Sequence, residues 1–138
     1  MDIFSLNTSK KRILIIGGGF GGIEIARRLD TRQFEVLLID KHNYFTFQPL
    51  LYQVATGGLE PDSVAYPLRK ILKKNKDVLF RLTEVTSINQ VSSKVMTTIG
   101  EIPYDILIIA TGAMTNFFNM VETEKNALAL KSVTDALN

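Results

Sequence analysis

The sequence predicts an α/β domain built on a parallel sheet. Three features predict it: a glycine-rich turn between an apolar run and a helix-compatible segment, a second apolar run ending in Asp, and a third ending in Thr-Gly. The first run, Ile13-Leu14-Ile15-Ile16, leads directly into Gly17-Gly18-Gly19-Phe20-Gly21-Gly22, and a helical segment follows from Ile23 to Leu29. With Gly17, Gly19 and Gly22 as the glycines of GxGxxG, the first permits a tight strand-to-helix turn. The second removes a side chain that would hold a pyrophosphate away, and the third lets helix and strand pack closely. The amino end of such a helix aims N–H groups and the positive end of its dipole at an anion, so no charged side chain is required.

The first unit reads as strand (about 12–16), helix (about 20–30) and strand (about 34–40), with apolar strands that suggest burial on both faces. The second strand, Phe34-Glu35-Val36-Leu37-Leu38-Ile39, ends in Asp40, 18 positions beyond Gly22, where the ribose hydroxyls of an adenosine need an acceptor. Alone, an Asp there also reads as a turn residue or helix cap. Residues 41–60 break the rhythm: His42, Asn43, Gln48, Pro49, Gly57 and Gly58 interrupt a segment rich in aromatic and aliphatic residues, which reads as an ordered apolar loop.

Pro61-Asp62-Ser63 then starts a helix running to about Lys74, with Val64, Leu68, Ile71 and Leu72 on its buried side. Its polar face, Arg69, Lys70, Lys73 and Lys74, reads as a solvated basic helix end. Val78 to Leu82 forms a strand, and the runs at about 84–90 and 94–99 form a hairpin or an antiparallel β meander. Tyr104 to Ile109 reads as a strongly buried strand closing in Ala110-Thr111-Gly112. Placed parallel to the first strand, it ends on the same carboxyl edge as the glycine turn, where open α/β sheets bind ligands. Beyond Asn116 the chain reads as an irregular connection, until Ser132-Val133-Thr134-Asp135-Ala136 begins a helix. The C-terminus reads as cut rather than finished.

Composition excludes whole classes. The 138 residues fit one domain, and 46% hydrophobic content is ample for a core. A net charge of +2 from 16 basic and 14 acidic residues, without a basic stripe, argues against nucleic acid. The chain has no cysteine, which removes disulfides, iron–sulfur clusters, thiolate metal sites and dithiol chemistry, so redox activity requires a bound organic cofactor. Lys10-Lys11-Arg12 precedes too short an apolar run for a signal peptide, and no stretch approaches the roughly 20 apolar residues of a spanning helix. A soluble, cytoplasmic chain is expected. No catalytic residue or metal ligand set is assigned, and His42, the single histidine, reads as a loop residue that hydrogen-bonds or packs.

Three segments in order, GGGFGG with Asp40, His42-Asn43-Tyr44-Phe45-Thr46-Phe47-Gln48-Pro49-Leu50-Leu51-Tyr52-Gln53-Val54-Ala55-Thr56-Gly57, and YDILIIATG, resemble the N-terminal FAD-binding part of the type II NADH dehydrogenases. These are non-pumping NADH:quinone oxidoreductases. The middle segment is the most family-specific, and the resemblance runs over nearly all of residues 10–138. It implies a Rossmann-like FAD-binding domain of the two-dinucleotide-binding flavoprotein type, of which residues 1–138 are the N-terminal portion of a discontinuous domain. The second glycine-rich unit for NADH, a later Gly-Asp segment and the C-terminal quinone and membrane-attachment helices are missing from this sequence.

The resemblance puts Gly17, Gly18, Gly19, Phe20 and Gly21 on the FAD pyrophosphate, Asp40 on the adenosine ribose, and Lys41 beside it. Gln48, Pro49 and Leu50 lie near the isoalloxazine ring, Val85 meets adenine through its backbone, and Ala110, Thr111 and Gly112 line the middle of the cofactor. Each also has a plain reading as turn, loop core or strand end; Val85 and Leu50 read equally well as core. In the implied reaction NADH passes a hydride to FAD and the reduced flavin reduces quinone, at the cytoplasmic face of the membrane. The alternatives are another FAD-dependent reductase on this fold, such as a sulfide:quinone or ferredoxin reductase, or an isolated dinucleotide-binding module without turnover. The chain by itself is expected to be inactive with NADH and quinone, and to dimerise or aggregate through an uncovered sheet edge.

Overall fold

The computed structural model describes residues 9–75 and 77–138. The chain runs β1 (Lys11–Ile16), α1 (Phe20–Arg28), β2 (Phe34–Asp40), β3 (Tyr44–Thr46), α2 (Leu51–Ala55), β4 (Ala65–Pro67), α3 (Leu68–Leu72), β5 (Val78–Leu82), β6 (Val85–Asn89), β7 (Lys94–Thr97), β8 (Gly100–Pro103), β9 (Ile106–Ile109), α4 (Val121–Asn126) and α5 (Val133–Leu137). Short 3-10 turns cover Gln48–Leu50 and Pro61–Ser63.

Four strands form a parallel sheet in the order β5-β2-β1-β9, with Ile13 in register with Val36 on one side and Ile106 on the other. The chain winds outward from β1 through β2 to β5, then returns to the far side of β1. That reversal places a crevice at the carboxyl ends of β1 and β9. The continuous apolar runs of β1 and β2 are explained by burial on both faces. Ile13, Ile15, Val36 and Leu38 pack with Ile23 and Ala26 of α1 and Leu68 and Leu72 of α3, while Leu14, Ile16, Leu37 and Ile39 pack with Val95 and Ile102 of the β6-β7-β8 meander. Each of these large side chains, fully buried, stabilises the fold by about 1.5–3 kcal/mol relative to exposure. A third cluster, Leu51, Val54, Val64 and Ala136, joins α2 to α5. At the opposite end of the sheet, Asp105 locks β9 onto β1: its carboxylate accepts the Arg12 N–H at 2.6 Å and its own N–H donates to the Arg12 carbonyl at 3.0 Å.

Several elements differ from expectation. The helix over 61–74 is instead a 3-10 turn, strand β4 and the shorter helix α3. Pro67 is the reason, because it has no N–H to continue a helix from Ser63 and its ring disfavours helical geometry in the preceding residue; it stands at the N-cap of α3. Val64 and Leu68, expected on one face, therefore enter different clusters. The run 94–99 turns after Thr97 into β8, an added strand of the meander. β9 begins at Ile106 rather than Tyr104 and is not deeply buried: it is an outer strand of its sheet, with Ile106 42% and Ile109 62% exposed. The connection beyond Asn116 contains α4.

Candidate dinucleotide-binding site

The glycine turn sits at the carboxyl end of β1, in the crevice created by the strand order. Gly17 has φ +108°, a region L side chains avoid, and a Cβ there would also stand 2.4 Å from the Ala110 carbonyl oxygen at the end of β9. The Gly17 N–H donates to the Ile39 carbonyl at 2.8 Å, and the Ala110 N–H donates to the Ile16 carbonyl at 2.8 Å, so the ends of β1, β2 and β9 converge on this residue. A Cβ on Gly22 would lie 1.8 Å from the Gly17 carbonyl oxygen, which is the close helix–strand approach that the third glycine of the motif permits.

Gly19 is the N-cap of α1, with no side chain to occupy the first-turn donors and no acidic residue in that turn. The N–H groups of Phe20, Gly21 and Gly22 have no partner within the helix, and its basic residues, Arg27 and Arg28, lie at the other end. A Cβ on Gly19 or on Gly21 would meet no atom within 4 Å. Open space and uncapped donors together make a cradle that fits a diphosphate.

Asp40 closes β2 beside this cradle. Its Oδ2 accepts the Gly18 N–H at 2.5 Å and its Oδ1 accepts the His42 N–H at 2.7 Å. The carboxylate thus shapes the glycine turn, which is the turn-residue reading of Asp40, and it stands at the carboxyl end of β2 beside the cradle. Lys41 follows it, exposed. The Thr83 N–H donates to the Asp40 carbonyl at 2.9 Å, bringing the start of β6 near that strand end; the Val85 side chain packs on the meander cluster, and its residue pairs with Thr97 of β7.

The loop after Asp40 folds back on the turn. β3 pairs antiparallel with β4, the Leu68 N–H donates to the Asn43 carbonyl at 2.9 Å, and the Leu68 methyls lie where a Cβ on Gly18 would go. Gln48 and Pro49 are exposed in their 3-10 turn, and Gln48 Nε2 donates to the Lys131 carbonyl at 3.4 Å. Leu50 is partly buried and packs against the cluster shared by α2 and α5. Thr111 and Gly112 extend from β9 exposed on the same carboxyl edge, Gly112 with φ +75°.

A family model described as pyridine nucleotide-disulphide oxidoreductase matches residues 11–138. The chain belongs to the pyridine nucleotide-disulphide oxidoreductase family. Among its relatives, the type II NADH:quinone oxidoreductase NdhA of Mycobacterium tuberculosis is 41% identical over 132 residues, covering 93% of this chain and 28% of that protein. The structure of NDH2 from Plasmodium falciparum in complex with NADH superposes with a TM-score of 0.81 at 32% identity, covering 93% of this chain and 27% of that one. The sulfide:quinone oxidoreductase of Aquifex aeolicus gives a TM-score of 0.81 at 31% identity, covering 92% and 30%. The chain spans little more than a quarter of the length of the curated relatives it matches. The resemblance read from Gln48 to Thr56 agrees with the first two of these names.

In this pyridine nucleotide-disulphide oxidoreductase chain, sequence reasoning missed the residues that support the glycine turn. Leu68 lies 50 positions beyond Gly18, and Phe45 and Phe47 hold the ring of Phe20 at centroid distances of 4.9 and 5.7 Å. The alternation Phe45-Thr46-Phe47 was the available signal, since i and i+2 side chains share one side of an extended segment.

Proposed function

We propose that residues 1–138 form the N-terminal portion of a discontinuous FAD-binding domain in an NADH:quinone oxidoreductase. The observation that carries this reading is the cradle at the switch point, with two glycines facing open space, an uncapped helix end and Asp40 fixed beside them. Gly17, Gly18, Gly19, Phe20 and Gly21 would hold the pyrophosphate through backbone N–H groups, and Asp40 would accept from the adenosine ribose, with Lys41 alongside. The Val85 backbone would meet adenine. Ala110, Thr111 and Gly112 would line the middle of the cofactor, and the turn Gln48-Pro49-Leu50 would border the flavin ring. When bound, FAD supplies the two-electron chemistry that takes a hydride from NADH and reduces quinone, and the protein supplies position and electrostatics.

Turnover belongs to the complete dehydrogenase, for which a lipid-soluble quinone argues attachment to the membrane surface, on the cytoplasmic side where NADH is met. Among the described residues no helix is long and apolar enough to cross a membrane. The exposed Ile106 and Ile109 on the outer strand β9 support dimerisation of the isolated chain, which light scattering tests. The equal fold match to a sulfide:quinone oxidoreductase supports a second reading, a flavin reductase with another electron donor.

The test is the visible absorbance of the purified chain after incubation with FAD and gel filtration. Two flavin bands co-eluting with protein are expected; retention of NAD and not FAD would refute the reading. Reduction of the flavin in the complete protein by NADH, and not by sulfide, separates the two enzymes.

A further inference from the structure

We infer that Phe20 is a positioning residue that couples the phosphate cradle to the loop carrying Gln48, Pro49 and Leu50; this rests on the FAD reading above. Phe20 is the first residue of α1, so its backbone N–H belongs to the anion cradle, yet its ring turns away to the loop after Asp40. There it meets Phe45 edge-on, at 4.9 Å and 88°, and Phe47 at 5.7 Å and 65°. Such geometry is the favoured arrangement of aromatic quadrupoles and contributes beyond the area it buries. The ring nevertheless stays 51% exposed, and Phe47 40%, while Phe45 is partly buried against the main core, so the trio ties two surface rings to that core.

Phe47 is the pivot of the loop. Its N–H donates to the Val64 carbonyl at 2.7 Å, its carbonyl accepts the Leu50 N–H at 3.1 Å, and it is the N-cap of the turn Gln48–Leu50. Holding its ring therefore fixes where that turn begins. Leu68 ties the same loop to Gly18 from the other side, so the loop is attached to the glycine turn at two points and Phe20 supplies the one nearer Gln48. A ligand reaching from the cradle to that turn profits from the coupling, whereas one ending at the diphosphate does not.

The experiment compares FAD with ADP, which shares the adenosine and diphosphate and lacks the flavin ring. Phe20→Ala is expected to weaken FAD about tenfold, equivalent to about 1.4 kcal/mol and the size of two such ring contacts, while ADP affinity changes less than about twofold. Phe47→Ala, whose residue donates nothing to the cradle, should reproduce the selective loss; Phe20→Tyr should restore wild-type affinity. The visible circular dichroism of bound FAD should change in both alanine variants and return in Phe20→Tyr. Equal weakening of FAD and ADP by Phe20→Ala overturns the coupling and leaves Phe20 a cradle residue only, as does unchanged FAD affinity in both alanine variants. Failure of the unaltered chain to bind FAD while it binds ADP overturns the FAD reading itself, and with it this inference.

Discussion

Replacing Gly22 with alanine tests the helix–strand approach on which the cradle is built. The new Cβ would start 1.8 Å from the Gly17 carbonyl oxygen and 3.0 Å from its carbon, whereas real Cβ contacts essentially never fall under 3.0 Å. The obstructing atoms are backbone, held by the Gly17 hydrogen bond to Ile39, so α1 itself must move by about an ångström. Overpacking of this kind costs about 1–3 kcal/mol, more where the neighbour cannot yield. Alanine returns at most about 1 kcal/mol as a better helix former. The clash wins, with a net destabilisation of about 2 kcal/mol. For a domain of this size that lowers the thermal midpoint by roughly 5–10 °C. Circular dichroism melting measures it, with Gly19→Ala as the control because its Cβ meets no atom within 4 Å. A Gly22→Ala midpoint at or above that of the unaltered chain would refute the packing argument.

Gly19→Val is expected to leave the thermal midpoint within about 2 °C, since its space is empty of protein, and to abolish FAD binding; retained affinity in a fluorescence titration would remove the phosphate assignment. Asp40→Ala should weaken FAD by about 1.5–3 kcal/mol through loss of a charged acceptor and also lower the melting midpoint, because the Gly18 and His42 N–H groups lose their partner. Lost affinity with unchanged stability would contradict that double role. Asp135 accepts the Lys131 and Ser132 N–H groups at the cap of α5, which holds its carboxyl below the ordinary 3.8. With the folded value depressed, its contribution is complete above 3.8 and is lost as pH falls through the folded value. An NMR titration of Asp135 should show a midpoint below 3.8, accompanied by shifts in the α5 amides; a midpoint at or above 3.8 would refute it.

The sequence by itself determined the glycine turn, the strands β1, β2 and β5, and the acidic residue that closes β2. Those signals are local: continuous apolar runs favour burial on both faces, and a φ as positive as that of Gly17 combined with a tight strand-to-helix turn favours glycine. It also carried the family, through the run from Gln48 to Thr56. Only the tertiary structure decided what holds the cradle in shape. A Cβ on Gly18 would press on the Leu68 methyls, which arrive from a helix 50 positions away, and the Asp40 carboxylate accepts the Gly18 N–H of the turn. The strand β8 contributes one buried side chain, Ile102, between a glycine and a proline, so its periodicity is silent and pairing with β7 alone makes it a strand. β9 reads as buried because every residue from Ile106 to Ile109 is aliphatic, yet burial depends on what covers the faces of a strand: the other outer strand, β5, buries Val78 and Phe80, whereas Ile106 and Ile109 stay exposed. Periodicity specifies which face of an element is apolar; which surface meets it is set by chain segments far away, and those contacts leave no mark on local sequence.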